Sequence, residues 1–79
     1  MQTIFVMIRA ELGRAYQVAE AAVDIEGVSE VYSTSGQYDL LVKCHLDQAI
    51  DVGHFVTGTL QAIPGVKETF TLIGFKAFS

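Results

Sequence analysis

The chain has 79 residues, 51% of them apolar and 18% charged, with five Lys/Arg against nine Asp/Glu, one Cys and no Trp. At 8.6 kDa, a folded monomer is expected to keep about 4,700 Å² exposed of roughly 12,500 Å² in the unfolded chain, which makes one domain with a marginal core. Small chains add disulfides, a metal or a partner subunit; one cysteine excludes an intrachain disulfide and, with two histidines, makes a poor metal cage, so oligomerisation is the expected staple.

The formal charge is −4, and Arg9, Arg14, Lys43, Lys67 and Lys76 are scattered singly. Direct binding of nucleic acid by phosphate neutralisation needs a basic stripe, and is not expected. No run reaches the roughly 18 to 20 apolar residues of a membrane helix. The apolar start lacks a basic segment and enters Arg9 and Glu11, unlike a signal peptide. A cytoplasmic protein without membrane contact is the expectation.

Residues 3–9, Thr-Ile-Phe-Val-Met-Ile-Arg, are a short apolar run rich in branched and aromatic side chains, as in a central strand. From 14 to 25, Ala15, Val18, Ala19, Ala22 and Val23 recur at helical spacing, with Gly13 opening the helix and Gly27 closing it. Residues 28–35 read as a strand that stops at Gly36. Residues 38–46 follow at once, with Tyr38, Leu40, Val42, Cys44 and Leu46 on one face and Asp39, Leu41, Lys43 and His45 on the other. The two strands make a hairpin turning around 35–37. Asp47 is expected to cap a second helix whose stripe, Ala49, Val52, Val56, Leu60 and Ile63, ends at Pro64-Gly65. Residues 66–78 form the last strand, interrupted by Gly74.

This order, β-α-β-β-α-β, carries an internal echo. At an offset of 38 residues, Val18, Ile25, Gly27, Val28, Glu30 and Gly36 align with identical Val56, Ile63, Gly65, Val66, Glu68 and Gly74. Two βαβ units with right-handed crossovers interleave into an α+β, ferredoxin-like fold: a four-stranded antiparallel sheet with both helices on one face. If Ile4, Val6 and Ile8 point at the helices, then Phe5 and Met7 point away, joined by Leu41 and one apolar set of the last strand. No element remains to cover them, and an exposed apolar face marks an interface. Two protomers are expected to stack these faces.

The chemistry-bearing residues are few. His45 and His54 have no carboxylate or cysteine at ligand or triad spacing and read as structural or surface residues. Cys44 reads as a small core residue whose thiol is not activated. The glycines form neither a P-loop nor a dinucleotide fingerprint, and no cofactor is expected. The distinctive segment is Ser35-Gly36-Gln37-Tyr38-Asp39. It reads either as a tight hairpin with a packed tyrosine and a solvated aspartate, or as a ligand site. In the second reading free N–H groups of the glycine turn hold a carboxylate and Asp39 accepts from an ammonium group, a pair that suits an amino acid. Thr69 and Thr71 are either plain β-formers facing water or hydroxyls lining a pocket between subunits.

The pattern Ile25-Glu26-Gly27-Val28, then residues 35–42 (Ser-Gly-Gln-Tyr-Asp-Leu-Leu-Val), then residues 63–71 (Ile-Pro-Gly-Val-Lys-Glu-Thr-Phe-Thr) resembles the ligand-sensing domain of the Lrp/AsnC transcriptional regulators over essentially the whole chain. The resemblance implies a dimer of the α+β barrel type and assembly of dimers into octamers or decamers. It also implies an effector amino acid held in clefts between dimers. By the same resemblance Gly36, Tyr38 and Asp39 line that cleft, with Thr69 and Thr71 as weaker carry-overs. Family members carry an N-terminal helix-turn-helix reader, whereas here the first strand starts at Thr3. The chain is therefore expected to be a stand-alone sensing and oligomerisation domain, residues 1–79, that co-assembles with full-length relatives or serves another partner. Two alternatives stand beside it. One is a small dimeric α+β barrel enzyme of monooxygenase or isomerase type, against which the apolar helix-facing set argues. The other is an assembly module whose cleft stays empty.

Overall fold

The first strand sets the architecture through the alternation of its side chains. In the computed structural model, which describes residues 1–79, β1 (Gln2–Ala10) buries Ile4, Val6, Ile8 and Ala10 on one face and leaves Phe5 and Met7 half-buried on the other. α1 (Ala15–Val23), β2 (Val28–Ser33), β3 (Leu40–Leu46), α2 (Val52–Phe55) and β4 (Val66–Gly74) follow. The sheet order is β2-β3-β1-β4 and every neighbouring pair is antiparallel, the expected ferredoxin-like topology. The core is one wholly apolar cluster that joins Ile4, Val6, Ile8, Leu40, Val42, Cys44 and Leu46 of the sheet to Val18, Ala22, Val56 and Leu60 of the helical layer.

The 38-residue echo has a conformational meaning at one point. Residues 25–28 and 63–66 make the same turn: Gly27 and Gly65 both sit at φ +100°, while Val28 and Val66 donate to the Ile25 and Ile63 carbonyls at 3.1 and 3.2 Å. Glycine third, with the fourth N–H closing onto the first carbonyl, is the arrangement of a type II turn. The echoed pair Gly36 and Gly74 carries no such equivalence, since only Gly36 has positive φ.

The second helix and the last strand depart most from expectation. The N-cap of the second helix is Asp51, not Asp47. The Asp51 carboxylate accepts from the His54 N–H at 2.9 Å, and that contact, together with the charge of His54, holds its pKa below the ordinary carboxylate value. Asp47 instead closes a local turn by accepting from the Ala49 N–H at 2.9 Å, which leaves Ala49 outside the helix. α2 then widens into a π-helical turn over Val56–Leu60, in which Gln61 donates to the Val56 carbonyl at 2.9 Å. A five-residue hydrogen-bonded ring lets the four-residue spacing of Val56 and Leu60 stay on the core side. Finally, β4 ends at Gly74, short of Phe78, so Phe75 and Phe78 lie outside the sheet.

The face away from the helices carries Phe5, Met7, Leu41 and Tyr32 with Phe70 and Leu72, the last two nearly half exposed at 48% and 46%. The chain exposes 5274 Å², several hundred more than the roughly 4,700 Å² expected of a folded monomer of this mass. The uncovered apolar face and the exposed segment after β4, with Phe75 and Phe78, both contribute to the excess.

Two outcomes test this packing. A Cβ on Gly27 would lie 2.8 Å from Leu46 Cδ2 at a φ that side chains rarely adopt. Gly27→Ala is therefore expected to lower stability by about 1–3 kcal/mol in urea unfolding, more than Gly58→Ala, which meets open space. Burial pushes the Cys44 thiol up to about 11, so thiol reagents at pH 8 are expected to modify it only as the chain unfolds.

Candidate functional site

The hairpin that joins β2 to β3 is tied down from inside. Thr34 donates its N–H to the Asp39 carbonyl at 2.9 Å and its hydroxyl to the Tyr38 carbonyl at 2.8 Å, closing a loop with Gly36 at its tip, φ +105° and open space around it. Asp39 then anchors that loop to β1. Its N–H donates to the Ile8 carbonyl at 2.9 Å, and its Oδ2 accepts from the Ala10 N–H at 2.8 Å. Ala10 follows a bulge between Arg9 and Ala10 in the β1·β4 ladder, so the carboxylate takes a donor near the end of regular pairing. None of the N–H groups of residues 35–38 donates to another backbone group.

Beside the hairpin lies a stack that sequence reasoning missed. The Arg9 guanidinium sits 5.4 Å from the centre of the Tyr38 ring, which stacks on Phe70 with centroids 6.3 Å apart. Arg9 Nε lies 3.0 Å from Glu68 Oε1, an ion pair angled off the line of a hydrogen bond. Arg9, Phe70 and Glu68 meet through strand register, with Met7 opposite Phe70 and Arg9 opposite Glu68, and register is not written in either segment alone. Tyr38 corrects the expected alternation. It precedes β3 and packs on the open face with Phe70, not on the helix face with Leu40.

Thr69 and Thr71 lie elsewhere. They pair with Ile8 and Val6, so they stand on the helix side of β4, the edge strand. The Thr69 hydroxyl receives the Gln61 side-chain amide at 2.8 Å. The chain therefore gathers Gly36, Tyr38 and Asp39 at the hairpin and leaves the two threonines on the opposite face. His45 is on the open face as expected, with Nδ1 3.0 Å from the Thr3 hydroxyl, and His54 is exposed on α2. The Tyr32 hydroxyl donates to Glu30, and that hydrogen bond and charge push the phenol up. No three or more His, Cys, Asp or Glu side chains gather to hold a metal. A groove of about 650 Å³ lies at the other end of the sheet, lined by Thr3, Phe5, Lys43, His45, Phe75 and Lys76 among others.

Residues 3–79 match the model of the Lrp/AsnC ligand binding domain. The chain belongs to this family. It is 38% identical over 76 residues to an uncharacterized HTH-type transcriptional regulator of Pyrococcus abyssi, covering 92% of this chain and 51% of that one. It thus spans about half the length of the curated regulator it matches. A 59-residue stretch is 37% identical to part of the homocitrate synthase of Sulfolobus acidocaldarius, of which it covers 12%. Among solved structures, a Thermus thermophilus protein superposes with a TM-score of 0.87 at 35% identity, covering 100% of this chain and 99% of that one. A Neisseria meningitidis transcriptional regulator solved in complex with L-Met shares the fold, with a TM-score of 0.86 at 19% identity over 99% of this chain and 52% of its own. No helix here is long and apolar enough to cross a membrane.

The anchoring role of Asp39 is testable. Asp39→Ala leaves the Ala10 N–H without its partner and is expected to cost about 1–3 kcal/mol in denaturant unfolding. Asp39→Asn, whose amide oxygen still accepts, is expected to lose clearly less. Equal losses for the two would show that the bond contributes nothing.

Proposed function

We propose that this domain is a non-enzymatic amino-acid sensor of Lrp/AsnC type, acting in the cytoplasm as an oligomer that modulates transcription. The observation that carries the reading is the hairpin: N–H groups of residues 35–38 free of backbone partners, next to an Asp39 carboxylate with only Oδ2 engaged by the backbone. The free donors suit a carboxylate and Asp39 Oδ1 suits an ammonium group, so the segment complements a zwitterion. Gly36 at the tip lets the ligand approach the backbone, and the Tyr38 ring, held between Arg9 and Phe70, forms a fixed wall. That the neisserial relative in fold was solved with L-Met supports the ligand class.

Thr69 and Thr71 join this site in our reading only across subunits, since in one protomer they stand on the other face of the sheet. The dimer would form by stacking the faces that carry Phe5, Met7 and Leu41, and dimers would close into octamers or decamers around the effector clefts. Residues 1–79 would serve as one sensing and oligomerisation unit. The partners proposed for it are full-length relatives with DNA-reading domains, since its own cations form no basic stripe.

Isothermal titration of the native assembly against the twenty amino acids is expected to give saturable heat with at least one, abolished in Asp39→Ala and retained at reduced affinity in Asp39→Asn. Absence of heat and of thermal shift with all of them would end the sensing proposal. Phe5→Asp and Met7→Asp place a charge in the proposed interface and are expected to yield monomers or unfolded chain by size-exclusion chromatography. Unchanged elution of both would contradict the interface.

A further inference from the structure

The groove at the far end of the open face stands apart from the hairpin and shares Phe5 with the proposed dimer interface. It runs between the start of β1 and the segment after β4, with Phe5 and the hydrogen-bonded Thr3–His45 pair on one side and Phe75 and Lys76 on the other. In a chain of net charge −4, two of the five Lys/Arg line it, Lys43 and Lys76, and none of the nine Asp/Glu does. Neither lysine is ion-paired, for the molecule's one ion pair is Arg9–Glu68. Glu30 stands directly across from Lys43 in the β2·β3 ladder, but its carboxylate takes the Tyr32 hydroxyl instead.

We propose that this groove binds a small organic anion, a carboxylate on a flat apolar body. The charge would lie with Lys43 and Lys76, and the apolar part against Phe5 and Phe75, of which Phe75 is 95% exposed. An acidic molecule repels anions overall, so a carboxylate-free, lysine-bearing concavity is where one is attracted, and apolar walls lower the local dielectric and strengthen that attraction. The groove also bears on the stacking of open faces, because Phe5 is common to both. A second copy laid over Lys43 takes its ammonium out of water, which is unfavourable without a counter-charge. An anion held at Lys43 supplies that counter-charge.

The test is calorimetric titration of the intact assembly with 3-phenylpropionate and with its neutral counterpart 3-phenylpropionamide. The acid is expected to bind at least tenfold tighter than the amide and to weaken in high salt. Lys76→Gln, outside every strand, is expected to weaken the acid about tenfold, as the loss of one charged contact does. Lys43→Gln should do the same, and Asp39→Asn, at the hairpin, should leave it unchanged. Equal affinity for acid and amide, or an unaffected Lys76→Gln, overturns the proposal. So does loss of binding in Asp39→Asn, which would place the anion at the hairpin and leave the amino-acid reading intact. Dissociation of Lys43→Gln into monomers, in a protein whose parent form ignores the acid, would assign the lysines to a partner's carboxylates and equally overturn it.

Discussion

Neighbouring side chains of β1 are driven in opposite directions. Ile4, Val6 and Ile8 are fully buried against the helical layer, and the pleat of the strand then holds Phe5 and Met7 on the other face, where this chain has nothing to cover them. A period of two allows no compromise, since a one-residue slip would expose the core set and bury Arg9. From this follow the apolar purity of the core and the bare apolar face on the other side of the sheet. The cross-strand neighbours reinforce the division, with Leu41 and Phe70 flanking Met7 on one face and Leu40 and Thr69 flanking Ile8 on the other.

Asp39 is a structural residue as well as a proposed ligand group. Its backbone and one carboxylate oxygen are committed to β1, which fixes the hairpin against the sheet before any ligand arrives. Such preorganisation lowers the ordering cost of binding. The Arg9–Tyr38–Phe70 stack fixes the neighbouring wall by the same logic, and Glu68 restrains the arginine.

The fold is legible in the sequence where one periodicity dominates. The alternation of β1 and β3 and the stripe of α1 place the sheet, its covered face and the burial of Cys44. The departures fall where local geometry, not pattern, decides. Extending the alternation of β3 back past Leu40 misplaces Tyr38, because the backbone has already left the ladder there. Asp47 and Asp51 are equally good caps by residue type, and only the reach to the His54 N–H selects the second. The π turn leaves no mark beyond a four-residue spacing that an α-helix also tolerates. At the candidate site, the glycine, tyrosine and aspartate are visible as a motif. The Arg9–Glu68 pair is not, because it exists only through the β1·β4 register, and the facing of Thr69 and Thr71 away from the hairpin depends on that same register.

The matching turns at Gly27 and Gly65 recur at the same point of two equivalent βαβ halves, yet neither half contains a strand pair of its own. β1 does not touch β2 in the ladder, nor β3 touch β4; β2·β3, β3·β1 and β1·β4 each join one half to the other. A half on its own would therefore be two unpaired strands and a short helix, with no hydrogen-bonded sheet to bury. The interleaving favours cooperative unfolding, because neither half keeps a ladder once the two come apart. It also orders assembly, since only the β2·β3 hairpin pairs segments close in sequence. Both ladders of β1 wait for distant strands to arrive, and loop closure of that kind slows folding.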